Sequence, residues 1–236
     1  MYRRFFKRLF DILFSLLALI VLALPMLIIA IAVKCTSKGP AIFKVERVGK
    51  NGKPFKFYKF RSMRTNAPKD CAPRYLHSED YITKVGAFLR KTSLDELPQL
   101  WCILKGDMSL IGPRPCGFSE VDLIEARKKY GAYAVRPGLT GLAQVNGRDV
   151  LACNVEKKAQ FDGEYAKKIT FWKDLKIIFQ TIGVVLREDN VVEGTAAVET
   201  TGTEAENEAE AATQTATELL DEVAATERER EEETAS

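Results

Sequence analysis

The sequence predicts a membrane-associated α+β protein, mostly helical, with one β-hairpin and an acidic C-terminal tail expected to be disordered. Three observations predict it. Ile12 to Val33 is an apolar run broken only by Ser15 and Pro25, and two β-prone stretches flank an Asn51-Gly52 pair. The charge is also unevenly divided: Thr195 to Ser236 holds twelve Glu and Asp221 against Arg228 and Arg230. Residues 1–194 of the 236 therefore carry 33 Lys and Arg against 19 Asp and Glu, a net of +14. That surplus suits phosphate-bearing ligands or an anionic membrane surface. The expected organisation is a basic flank and membrane helix over 1–38, a folded body over 39–194 and a low-complexity tail over 195–236.

The apolar run is flanked by Arg3, Arg4, Lys7 and Arg8 on one side and Lys34, Lys38, Lys44 and Arg47 on the other. With both ends basic, the positive-inside tendency offers no outside end. Pro25 leaves thirteen residues of the run before it and eight after. At about 1.5 Å per residue these span roughly 20 Å and 12 Å, short of a hydrocarbon core of about 30 Å. A kinked spanning helix and a hairpin that enters and leaves by one face both fit these residues. A signal peptide does not, because no small-x-small cleavage pattern precedes the next charges.

Ala41 to Val48 and Pro54 to Arg61 read as strands, joined through Asn51-Gly52, the pair favoured where a type I′ turn needs positive φ twice. Lys44, Arg47, Lys56, Lys59 and Arg61 make the hairpin cationic enough to hold a diphosphate or rest on anionic headgroups. Helices are expected over 81–89, 97–104, 121–130, 158–168 and 171–186. The last, with Trp172, Lys173 and Lys176 near its start, fits either core packing or the membrane interface. Beyond Gly194 the chain has no aromatic residue and no Lys, too little apolar surface to fold alone.

Cys35, Cys71, Cys102, Cys116 and Cys153 are widely spread with no C-x-x-C, so neither a disulfide framework nor a zinc site is indicated. A reducing, cytosol-facing body fits this cysteine use. His77 stands alone, which removes His-rich metal sites and argues against a histidine triad.

Thr92-Ser93-Leu94-Asp95-Glu96-Leu97-Pro98 places adjacent carboxylates at a predicted helix start. Pro98 argues against capping by Ser93, so the structural expectation is Asp95 as the N-cap. The functional expectation is a carboxylate that attacks phosphorus, or a pair that holds a hard cation, with Arg90 and Lys91 just upstream. Gly106 to Pro115 and Val135 to Gly141 read as two rigid turns presenting Arg114 and Arg136 from Pro/Gly frames. A guanidinium held this way loses little freedom on gripping an anion.

Together these segments carry a resemblance running from about Arg3 to Asp189. It includes Lys59-Phe60-Arg61-Ser62-Met63, Arg90 to Gln99, Lys105 to Pro115 and Arg136 to Arg148. In this order they resemble the monotopic phosphoglycosyl transferases of the bacterial sugar transferase family. The resemblance implies transfer of a sugar 1-phosphate from a UDP-sugar to undecaprenyl phosphate, releasing UMP, at the cytosolic side of the bacterial inner membrane. It implies Asp95 as nucleophile forming a covalent phosphosugar, and Mg²⁺ at Asp95 and Glu96. Glu96 is implied to position metal or phosphate, or to help deprotonate the acceptor. Arg90, Arg114, Arg136, Arg61 and Arg148 are expected to hold phosphate or nucleotide, although Arg148 and Asp149 equally suit a turn or salt bridge. The family's N-terminal helix is re-entrant, which implies a hairpin broken at Pro25 and residues 39–194 as a cytosolic catalytic domain. Members often have Ser-Pro at the break where this chain has Leu24-Pro25, so no hydroxyl serves the freed carbonyl.

Two other readings use the same residues. A CDP-alcohol phosphotransferase would need several spanning helices, and only one long apolar run exists. A membrane-anchored adaptor in glycan assembly would bind lipid or a partner through the basic body and use Asp95 only as a cap. Nucleic acid is not expected as a partner, because no binding motif for it is present.

Overall fold

The computed structural model describes residues 2–67, 81–147 and 154–186. His77, Cys71, Cys153, Arg148, Asp149 and the acidic tail lie outside the described residues. The chain begins with α1 (Lys7–Val21) and α2 (Ala23–Thr36), bent by 63° against each other. Among the described residues no single helix is long and apolar enough to cross a membrane, while this bent pair passes by length and composition together.

The expected break lies at Leu22 rather than at Pro25, which is the third residue of α2. Proline chemistry explains the offset. Pro25 has no N–H for the carbonyl of Val21, and its ring crowds that carbonyl, so the helix parts one turn upstream. Elsewhere the ladder holds: the Leu22 N–H donates to the Ala18 carbonyl and the Leu22 carbonyl accepts from Met26, both at 2.8 Å.

β1 (Ile42–Val48) and β2 (Pro54–Phe60) form the expected antiparallel hairpin, with Val45 opposite Phe57. Asn51 and Gly52 take φ of 58° and 77°, the positive pair that the turn demands. α3 (Lys84–Lys91) starts three residues later than expected, where the Thr83 hydroxyl accepts the Gly86 N–H at 2.9 Å. α4 (Gln99–Lys105), β3 (Ser109–Ile111), α5 (Val121–Tyr130), β4 (Gly138–Thr140), α6 (Leu142–Val145), α7 (Val155–Lys167) and α8 (Phe171–Leu186) complete the described fold.

The two Pro/Gly segments are more than independent turns: β3 and β4 pair in parallel, Ser109 beside Gly138 and Ile111 beside Thr140. Glycine makes the approach possible. A Cβ on Gly138 would fall 2.1 Å from the Gly112 nitrogen, and one on Gly141 2.1 Å from the Gly112 oxygen.

Burial gives the bend its direction. The end of α1 packs through Ala18, Leu19 and Leu22 on Phe57, Leu100, Ile103 and Met108, whereas α2 packs through Val33, Met26 and Ile29 with Phe60 and Leu89. α1 is inverted relative to a soluble amphipathic helix. Lys7, Asp11 and Ser15, spaced four apart on one face, are buried, while Leu13, Phe14, Leu17 and Ile20 are exposed. The buried stripe is satisfied by distant partners. Lys7 Nζ and the Tyr2 hydroxyl each donate to Asp174 Oδ2 in α8 at 2.8 Å, and the Tyr165 hydroxyl donates to Oδ1 at 2.7 Å. Asp11 accepts from the Leu110 N–H at 2.9 Å and the Ser109 hydroxyl at 3.1 Å, tying α1 to β3.

Candidate active site

α3 ends with Arg90 and Lys91 in its last turn, and the chain then reverses at Ser93, whose φ of 55° is left-handed. Leu94–Glu96 follows as a single 3₁₀ turn, closed by the Glu96 N–H to the Ser93 carbonyl at 3.2 Å. Pro98, at φ −62°, then starts α4 without a side-chain cap. The expectation of Asp95 as an N-cap is therefore corrected. The proline supplies its own helical φ and needs no donor satisfied at its nitrogen, so the helix starts past the dyad and leaves the Asp95 carboxylate unspent.

That carboxylate is 7% exposed and receives no hydrogen bond from a described residue. Burial first, and the neighbouring Glu96 charge second, push its pKa up to about 6, while Lys59, Arg90 and Arg114 pull it back. Glu96 is held differently. Arg114 Nη2 donates to its Oε1 at 2.6 Å, a partly exposed ion pair.

Arg90 reaches the dyad from α3, its Nε donating to the Ser62 hydroxyl at 3.1 Å. Arg114 reaches it from the turn after β3, where the Pro113 carbonyl accepts the Gly138 N–H at 2.8 Å. The paired segments β3 and β4 thus set the position of the turn that carries Arg114. Lys59, in β2, is a site residue that the candidate set omitted. Its signal was its place in a cationic strand two residues from Arg61, but only the packing of β2 beside the 3₁₀ turn selects it from the other strand cations.

The other expected arginines are placed elsewhere. Arg61 is buried, with Nη2 donating to the Ser37 carbonyl at 2.7 Å and Nε and Nη1 unpartnered. Arg136 Nε donates to the Gly106 carbonyl at 2.7 Å, close to Arg8, which itself donates to the Ile103 and Leu104 carbonyls at the end of α4. Neither Arg61 nor Arg136 is among the charges that act most on Asp95. Arg148 lies outside the described residues.

The arrangement is a dry carboxylate beside an anchored one, ringed by three cations. Such a site can attack an electrophile that arrives as an anion, because the cations offset the repulsion of like charges.

A family model described as bacterial sugar transferase matches residues 2–188. The chain is 46% identical over 185 residues to the UDP-glucose:undecaprenyl-phosphate glucose-1-phosphate transferase of Klebsiella pneumoniae, covering 75% of this chain and 39% of that one. It is 42% identical over 201 residues to the UDP-galactose-lipid carrier transferase of Erwinia amylovora, covering 79% and 41%. A Caulobacter vibrioides UDP-glucose:undecaprenyl-phosphate glucose-1-phosphate transferase is 40% identical over 189 residues, 78% of this chain and 71% of that one. The chain thus spans about two fifths of the length of the first two relatives. With the match running from the first turn of the N-terminal helices through α8, the chain belongs to the bacterial sugar transferase family.

Proposed function

We propose that the protein transfers a sugar 1-phosphate from a UDP-sugar to undecaprenyl phosphate and releases UMP, as the initiating step of bacterial glycan or polysaccharide assembly. The observation that carries this reading is Asp95: buried, without a hydrogen-bond donor, and with its pKa raised to about 6 among Lys59, Arg90 and Arg114. A carboxylate kept for structure is normally surrounded by donors, whereas one left bare and still ionised near neutral pH is poised to react. The names of the relatives support the substrates, since two of them specify UDP-glucose and undecaprenyl phosphate.

In the first step an Asp95 oxygen attacks the sugar-bearing phosphorus of the donor. The bond from that phosphorus to the bridging oxygen breaks, and its electron pair leaves with UMP. In the second step a phosphate oxygen of the lipid attacks the same phosphorus, and the bond to Asp95 breaks to restore the carboxylate. Two steps let a soluble nucleotide and a lipid phosphate use one site in turn. Lys59, Arg90 and Arg114 hold the phosphates, and Glu96, pinned by Arg114, positions them.

Mg²⁺ is assigned to Asp95 and Glu96. Among the described residues no group of three or more His, Cys, Asp or Glu could hold a metal. Two carboxylates, with phosphate and water completing the shell, are the usual protein contribution to this ion. When bound, it supplies positive charge that neutralises the departing diphosphate oxygens.

The site is placed at the cytosolic face of the cytoplasmic membrane, with α1 and α2 re-entrant. Supporting this, the large exposed residues of both helices and of α8 are apolar, including Leu17, Ile20, Leu27, Ile31, Trp172 and Phe179. Cysteine labels near Tyr2 and near Lys38 should both react only from the cytosol, and reaction from opposite sides would replace the hairpin with a span.

The reaction itself is tested by UMP release from a panel of UDP-sugars with undecaprenyl phosphate and Mg²⁺, comparing wild type with Asp95→Asn. Release that needs lipid, metal and Asp95 supports the enzyme. Release undiminished by Asp95→Asn removes the covalent route, and no release from any donor by folded protein supports the adaptor reading.

A further inference from the structure

Outside the dyad, the most deeply buried ion pair of the body joins α5 to α7. Arg127 is 2% exposed and Asp162 1% exposed. Arg127 Nε and Nη2 both donate to Asp162 Oδ2, at 2.8 Å and 2.6 Å. The remaining arm of the fork points the other way: Nη1 donates to the main-chain carbonyl of Arg114 at 2.9 Å. Arg114 is the residue whose own guanidinium grips Glu96 at 2.6 Å.

We infer that Arg127 and Asp162 are a positioning pair for the reaction, fixing the main chain of Arg114 so that its guanidinium holds Glu96 in the dyad. The inference rests on the reading of Asp95 and Glu96 as the reacting site. The turn needs such a hold. Arg114 stands between Pro113 and Pro115, so its backbone is biased to an extended form and its carbonyl turns out of any local hydrogen bond. Pro113 is tied to Gly138 on one side. Arg127 supplies the tie at Arg114 itself, from helices that do not otherwise touch the dyad.

The chemistry of the pair fits positioning better than stability. A buried ion pair gains little over well-packed apolar groups of the same volume, because desolvation cancels most of the attraction. Its distinctive property is direction. A planar fork held at two nitrogens by one carboxylate aims its third nitrogen along a fixed line, which an ammonium cannot do.

The test is a mutant cycle on the full chain in bilayer discs. Arg127→Met with Asp162→Leu replaces the pair by apolar groups, and thermal melting reports whether the fold is kept. With the melt close to wild type, kcat for UMP release should fall about 10- to 100-fold while the donor KM stays within about threefold. Added to Arg114→Ala, the same two changes should cost nothing more, because they act through that residue. A kcat within about twofold of wild type, or full additivity with Arg114→Ala, overturns the inference.

If the paired variant melts well below wild type, Arg127→Lys decides by the same outcomes, since it keeps a charge for Asp162 without the fork. Absence of turnover in wild type would defeat the proposed reaction separately. The pair is then judged on [¹⁵N]arginine-labelled protein: hindered rotation of the Arg114 guanidinium that is lost in the variant supports the inference, and an unchanged signal overturns it.

Discussion

Asp174 and Asp95 are both buried aspartates, 3% and 7% exposed, and they are held in opposite ways. Asp174 accepts from the Tyr2 hydroxyl, Lys7 and the Tyr165 hydroxyl, and so joins α1, α7 and α8. Asp95 has neighbouring cations but no donor on it, and its pKa rises to about 6. The difference separates two uses of the same side chain. Satisfied on all sides, a buried carboxylate fixes elements; left bare, it keeps its oxygens for another electrophile.

The largest expected effect is on Asp95. Asp95→Asn should lower UMP release by roughly 1,000-fold or more while the protein stays folded. It should also raise stability at pH 7.5 by about 1–3 kcal/mol in metal-free protein. The sign follows from proton counting. With the carboxyl at about 6 in the fold against a model value of 3.8, the folded state binds more protons between these values. Stability contributed by this group is therefore greatest below about pH 4 and falls as pH rises through about 6. Urea melts of both proteins at pH 4 and pH 7.5 check it, and an Asn variant no more stable at pH 7.5 would mean that the carboxylate is not strained.

Asp174→Ala should show the reverse profile. Removing the acceptor leaves a buried ammonium and two hydroxyls unpaired, at a cost of about 3–5 kcal/mol in a denaturant melt. A loss under about 1 kcal/mol would show that the network does not hold α1 to α8.

Glu96→Gln is intermediate. Turnover should fall about 10- to 100-fold, because the grip of Arg114 weakens without removing the nucleophile. Wild-type turnover should rise through about pH 6, where Asp95 ionises. The Gln variant removes the like charge beside Asp95, so its rise should move to lower pH. A pH profile that does not move would mean that Asp95 is not the group titrating.

The smallest effect belongs to an exposed carboxylate. Asp107, paired with Lys105 at 3.0 Å, is open to solvent on both sides of the pair. Asp107→Asn should change stability by under about 0.5 kcal/mol, and a larger loss would mean that the pair is coupled to the end of α4.

How much was legible in the chain differs between these regions. The α5 and α8 limits, the hairpin and a break near Pro25 could be read directly, since each follows from local periodicity or from backbone torsions that Asn, Gly and Pro impose. The dyad could be recognised as a motif, but its local reading as a helix cap was wrong, because Pro98 starts α4 after it. The pairing of β3 with β4 was hidden for a different reason: the glycines that permit it look the same as glycines of ordinary turns.

From its sequence alone, then, this protein's basic body, inverted membrane-side helix pair, hairpin turn and Asp95-Glu96 motif were determined, because composition and torsional preference act over a few residues. Only the tertiary structure decided that Asp95 is dry, that Lys59, Arg90 and Arg114 surround it rather than Arg61 or Arg136, and that Arg127 reaches Asp162 and Arg114 at once. Burial and charge separation depend on which segments meet across the chain: 18 residues apart for Arg114 and Glu96, 35 for Arg127 and Asp162, and 167 for Lys7 and Asp174. No local preference carries that information, since desolvation is a property of everything packed around a group and not of the group itself.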